Sequence, residues 1–141
     1  MPWLVHLLYG LALLTCCIFV HVFGLIIISR IINHENVDRL RNQSILFATV
    51  TFALSALSAA TLFFIQALVW GLFYIRLHAI NDIERAISFS IGTFTTYGNS
   101  GFVLDNSWIL LSEIQAINGV MAFGITTAFL FNLSKRLQPK S

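Results

Sequence analysis

Three long apolar runs, separated by short polar stretches, dominate this chain, and a shorter helical pattern precedes the last of them. The first run extends from about Pro2 to Ile32 and holds His6 and His21, but no full charge before Arg30. The second runs from about Ser44 to Ile75, with Gln66 its only strongly polar interior residue, and the third from about Asn106 to Leu133. A helix rises about 1.5 Å per residue, so roughly 20 residues cross a hydrocarbon layer about 30 Å thick. Each run is longer than that. The excess predicts tilt, or helical turns that continue into the interface.

The segment between the second and third runs, "NDIERAISFSIGTFT" from Asn81 to Thr95, reads differently. Asn81 or Asp82 can cap a helix start, and the acidic side chains sit near its positive pole. Ile83, Ala86, Ile87 and the Ser90–Ile91 pair follow helical spacing. This predicts a short helix, too short to span and of a size that fits a re-entrant or interfacial segment. Directly after it comes Thr95-Thr96-Tyr97-Gly98-Asn99-Ser100-Gly101, polar, flexible and uncharged.

Composition turns these patterns into a membrane reading. Of 141 residues, 57% are hydrophobic and 10% charged, and the mean hydropathy is +0.84. Soluble domains carry roughly 25% charged residues, and a chain this small has too little interior for so much apolar surface. The net charge of +2 supplies no basic surface for nucleic acid. Cys16 and Cys17 are adjacent within an apolar run, which supports neither a disulfide nor a CxxC metal site. They read as small lipid-facing or packing residues. No Lys or Arg precedes the first run, and it far exceeds a signal-peptide core, so it reads as a retained span.

Charge placement sets an expected orientation. Arg30, Arg39 and Arg41 follow the first span, and Lys135, Arg136 and Lys140 form the tail. These six of the eight basic residues predict cytoplasmic placement of both regions, with the N-terminus and residues 76–105 outside. The expectation is a multi-pass protein of the cell inner (plasma) membrane. It divides into an additional N-terminal span and loop (1–43), a central module (44–134) and a short tail (135–141).

Irregular backbone in lipid costs several kcal/mol per unpaired group and persists at membrane depth only where protein shields it or water lines it. A short helix followed by the Thr/Gly loop therefore points to a pore lining. Glycine permits conformations that turn carbonyls inward, threonine hydroxyls can join such a ring, and oxygen rings replace a cation's hydration shell. One loop cannot enclose a pore, so a closed symmetric oligomer is required.

The segment from about Ala67 to Leu133 resembles the pore domain of the bacterial potassium-channel-like family. The matching pieces are "ALVWGLFYIRLHAINDIERAISFSIGTFTT" and "WILLSEIQAINGVMAFGITTAFLF". About half of the chain is covered. The resemblance implies an all-α homotetramer with outer helix, pore helix, filter loop and inner helix, the filter facing outward, and no cofactor beyond permeant K⁺ or Na⁺. The filter departs from the family pattern T-T-x-G-Y-G-D. Without gaps, Asn99 stands for the tyrosine, Ser100 for the second glycine and Gly101 for the aspartate. A gapped alternative pairs Tyr97-Gly98-Asn99 with Tyr-Gly-Asp, but shortens the filter. Loss of the aromatic cuff and the outer carboxylate implies weak or altered selectivity, with Asp105 a partial substitute for that charge.

Around the loop, Glu113 reads as a pore-helix anchor or vestibule charge, against a residue snorkelling to the interface. Gln115 and Asn118 read as hydrogen-bonding between helices. Gly119 and Gly124 let the inner helix bend or pack closely, and the resemblance places a hinge-like glycine near Gly119. Phe123, Ile125, Phe129 and Phe131 include candidates for a hydrophobic constriction, although packing or lipid contact is the commoner role. His6, His21 and His78 do not converge with acidic ligands at metal spacing. His34, near Glu35, reads as a loop residue. No arginine ladder marks a voltage sensor, and no catalytic constellation or nucleotide fingerprint is present, so the chain reads as no enzyme. The two readings left are a channel for monovalent cations, with lipid and other copies of itself as partners, and a non-conducting subunit or signalling protein that keeps the pore fold. The first span lies beyond the resemblance and is read as packing against the outer helix.

Overall fold

The computed structural model describes residues 2–34, 45–98 and 104–137. These residues form four helices and no strands: α1 (Pro2–His34), α2 (Ile45–Arg76), α3 (Ile83–Phe94) and α4 (Ile109–Leu137). The three long ones are long and apolar enough to cross a membrane. They match the three apolar runs to within a few residues, except at α4. There a turn through Asn106–Trp108 delays the start, Trp108 N–H donating to Asp105 O at 2.8 Å, and the helix continues to Leu137.

Pairwise contacts define the topology. Along α1 and α4, His6 stacks on Trp108 at 4.5 Å, Gly10 faces Ile114, and His21 bonds Thr126. Partner numbers rise together, so these helices run parallel. Against α2 the order reverses, with Tyr9 near Phe73, His21 on Gln66 and Gly24 on Leu62. The starts of α1 and α4 and the α2–α3 turn therefore share one end of the molecule. The first helix does not simply line α2. Its contact with α4 is the more extensive, and Cys17 joins Trp70, Phe94, Leu111 and Ile114 in one core.

Residues 77–82 turn the chain sharply. His78 takes φ 56°, its N–H donates to Ile75 O, and Ala79 N–H donates to Tyr74 O, both at 3.0 Å. This left-handed helix ending satisfies carbonyls that α2 would otherwise leave unpaired. Asp82 then caps α3, its Oδ1 accepting from Arg85 N–H at 2.8 Å. Asp82 rather than Asn81 holds the cap.

The short helix is wedged between α2 and α4. Its inward face is Ala86, Ser90 and Phe94, one residue per turn, while Ile83 stays exposed. Two glycines on the flanking helices let the backbone of α3 sit this close. A Cβ at Gly71 would stand 3.4 Å from Ala86 O and Ile87 Cα, and one at Gly119 would collide with the Phe94 carbonyl. Backbones that approach this closely leave no room for a side chain at Gly119 and little at Gly71. The far end of α3 reaches Phe63, close to the midpoint of α2, where the Phe63 and Phe94 rings meet edge-to-face at 5.9 Å.

Candidate functional site

Residues 95–98 leave the end of α3 through an unusual backbone. Thr95 has φ −84° and closes the helix, its N–H and hydroxyl both bonding Ile91 O. Thr96 follows at φ 56° and Gly98 at φ 68°, with Tyr97 between them on the ordinary negative side. The sign of φ thus alternates over four residues. Glycine adopts a positive φ freely, but a β-branched residue there is a real outlier, costing about 1–3 kcal/mol.

The α2 ending shows what is special here. At both ends the left-handed residue's N–H bonds a carbonyl three residues back, Ile75 for His78 and Thr93 for Thr96. After α2 the next residue, Ala79, closes the six-residue ring. After α3 that bond to Gly92 O is made at 3.2 Å not by Tyr97 but one residue later, by Gly98. Tyr97 is left projecting, 85% exposed, and Thr95, Thr96 and Gly98 are exposed as well. The remaining expected filter residues, Asn99, Ser100 and Gly101, lie outside the described residues.

Behind this loop is a buried hydrogen-bond network. Tyr74 Oη donates to Gln115 Oε1 at 2.8 Å, and Gln115 Nε2 donates to Ser90 O at 3.0 Å and Ser90 Oγ at 2.6 Å. Ser90 Oγ in turn donates to Ala67 O. All three side chains are fully buried. Each polar atom of Gln115 is used, and the network binds α3 to both α2 and α4. Gln115 is the interhelical amide that the sequence reading expected.

A second network lies deeper. Gln66 Nε2 donates to His21 Nδ1 at 2.7 Å, which puts the imidazole proton on Nε2, and that N–H donates to Thr126 Oγ1 at 2.8 Å. One histidine thereby joins all three spans. Sequence reasoning set His21 aside because it was tested only against acidic ligands. The available signal was that His21 and Gln66 are the most polar interior residues of their spans.

The other inner-helix candidates separate. Asn118 and Gly119 are buried at the junction, whereas Glu113 is exposed on the opposite side of α4. Gly119 is occupied by close packing against Phe94, and Gly124 has open space around it. Asn118 makes no hydrogen bond through either side-chain atom, unlike Gln115 one turn earlier. Phe123 and Phe131 are exposed, and Phe123 tilts onto Phe63 at 4.8 Å. Cys16 is exposed and Cys17 buried, both as free thiols.

In electrostatic terms, α3 presents its capped, positive end at the turn and its negative end at mid-length of the long helices. That arrangement favours a cation over an anion beside Thr95–Gly98. No family model matches this chain, and neither curated proteins nor solved structures gave a significant match to it.

Proposed function

We propose that this chain is one subunit of a symmetric, four-copy membrane channel for monovalent cations, potassium-channel-like in layout with altered selectivity. The observation that carries the reading is the short helix seated between two span-length helices, its negative end delivering Thr95–Gly98 with alternating φ. On this reading α3 is a re-entrant pore helix. The N–H cap and Glu84 sit at the outer surface, and the helix dipole holds cation density at the loop. Alternating φ is the backbone habit that lets successive carbonyls face one side, as an ion-coordinating ring needs. A strained Thr96 is expected where such geometry is functional and held by its surroundings. The Gln115–Ser90–Tyr74 network is the anchor that keeps α3 in place while ions exchange at its tip.

Four loops around a common axis would convert this edge into a closed ring. The N-terminus and the loop then face outward, and the basic tail faces the cytoplasm. Thr96, Tyr97 and Gly98 supply inner cation sites. Purified protein reconstituted in bilayers, with reversal potentials measured under K⁺/Na⁺ and cation/anion gradients, tests the proposal. Cation-selective current with a low K⁺/Na⁺ ratio is expected. A chloride reversal potential would refute it. An assembled tetramer without any current would favour the non-conducting subunit.

A further inference from the structure

Where α1 and α4 end side by side, about two turns past the His21–Thr126 bond, a notch of about 130 Å³ opens between them. Ile32, Phe129 and Leu133 supply its apolar wall, and Ser29, Asn132 and Arg136 its polar one. A single water needs only about 10–15 Å³ of such space, so the notch admits a much larger group. Nearby hydroxyls of α4 are spent on their own helix, Thr127 Oγ1 donating to Phe123 O and Ser134 Oγ to Phe131 O. Among the described residues, the Ser29 hydroxyl and the Asn132 amide have no such partner. The guanidinium of Arg136 carries five N–H donors and serves more than one partner at once.

Charge selects the sign of the ligand. The described acidic residues, Asp82, Glu84, Asp105 and Glu113, all lie toward the opposite end of the molecule, whereas Arg30, Lys135 and Arg136 stand at this one. Residues 35–44, outside the described ones, add Glu35 and Asp38 together with Arg39 and Arg41. The ends of α1 and α4 place about half a negative charge each here, and three full cations outweigh them. Depth selects its kind. Residues 114–134 of α4 carry no charge, a length that crosses a hydrocarbon core about 30 Å thick, so Lys135 and Arg136 stand at headgroup level. The Lys135 ammonium sits 4.3 Å over the Phe131 ring, its stem laid along apolar surface and its charge kept at that level.

We infer that the notch between the ends of α1 and α4 binds the phosphate headgroup of an anionic phospholipid, one per chain, in the leaflet that borders the tail. Basic pockets between membrane helices hold phosphate headgroups in this way. Arg136, Ser29 and Asn132 donate to the phosphate oxygens, while Ile32, Phe129 and Leu133 meet the start of the acyl chains. The lipid clasps α1 to α4 beyond the His21–Thr126 bond. The inference rests on the membrane spans and not on conduction.

The test is native mass spectrometry of the full chain in detergent, titrated with phosphatidylglycerol or with phosphatidylcholine of the same acyl chains. Phosphatidylglycerol is expected to fill one tight site per chain, at least about tenfold tighter than phosphatidylcholine. Diffuse attraction to the basic end responds to charge alone, so Asn132→Leu, which changes none, separates it from a built site. That variant should weaken phosphatidylglycerol binding about tenfold, the worth of a hydrogen bond to a charged group. Asn132 is exposed, so the change leaves the core intact, and should the variant fail to assemble, Ser29→Ala takes its place. Equal affinity for the two lipids overturns the inference, as does parent-like affinity in the neutral variant. Displacement of the lipid by equimolar inorganic phosphate would show a site for free phosphate and overturns it too.

Discussion

Gly119→Ala is the sharpest probe of how the short helix is held. The new Cβ would stand 2.8 Å from the Phe94 carbonyl carbon and 3.2 Å from its Cα, with the oxygen nearer still. Carbon atoms pack at about 3.5–4.0 Å, so the end of α3 must retreat from α4 by on the order of 1 Å. The obstacle is backbone and cannot rotate away. The retreat is opposed by the Gly71 contact on the other side of α3 and by the Gln115–Ser90 bonds. Overpacking of this kind costs about 1–3 kcal/mol, against a gain of up to about 1 kcal/mol from replacing a helix-interior glycine. The first term wins. Gly124→Ala is the matched control, because nothing lies within 4 Å of its added Cβ and only the helix gain applies. Unfolding of the two variants in bicelles should therefore move in opposite directions, by about 1–2 kcal/mol down for Gly119 and up to about 1 kcal/mol up for Gly124. Under the proposed channel function, Gly119→Ala should also shift the K⁺/Na⁺ reversal potential in bilayers, since the loop springs from the displaced end. A Gly119→Ala protein as stable as the parent would refute the packing argument. A loss confined to Gly124→Ala would place the sensitive glycine at a hinge or subunit contact instead.

Gln115→Leu removes three buried bonds, each worth about 0.6 kcal/mol in membrane interiors, so a loss of about 2 kcal/mol is expected in bicelle unfolding. Thr126→Val keeps the shape but removes the hydroxyl that His21 Nε2 bonds, leaving only the Ala122 carbonyl beside the ring. The expected cost is about 0.6–1.7 kcal/mol, and Gln66→Leu in the same background should add less than it does alone, because the two share one histidine. Asp82→Ala deletes the cap of α3, worth about 1 kcal/mol, and hydrogen exchange at the Arg85 amide should accelerate about fivefold. Unchanged exchange there would mean that α3 is held by its packing alone.

Sequence alone located the three helices long and apolar enough to cross a membrane, because length and apolar content answer directly to bilayer thickness. It also located the short helix and narrowed its cap to Asn81 or Asp82, a local signal, and the structure chose Asp82. Gln115 was legible as an interhelical amide for the same reason: a polar residue amid apolar ones must find a partner. The tertiary structure decided everything that depends on which faces meet. The inward stripe of α3 is Ala86, Ser90 and Phe94, while Ile83 stays exposed and Ile87 and Ile91 are only partly buried, a choice set by how α3 seats against Gly71 and Gly119. Gly119 and Gly124 look alike in sequence, yet only one faces a carbonyl. His21 carried no chemistry until α2 and α4 delivered Gln66 and Thr126 to its two nitrogens from 45 and 105 residues away. Periodicity records which positions are apolar. It holds no record of which distant backbone comes near, and at this helix junction that proximity sets the role of each residue.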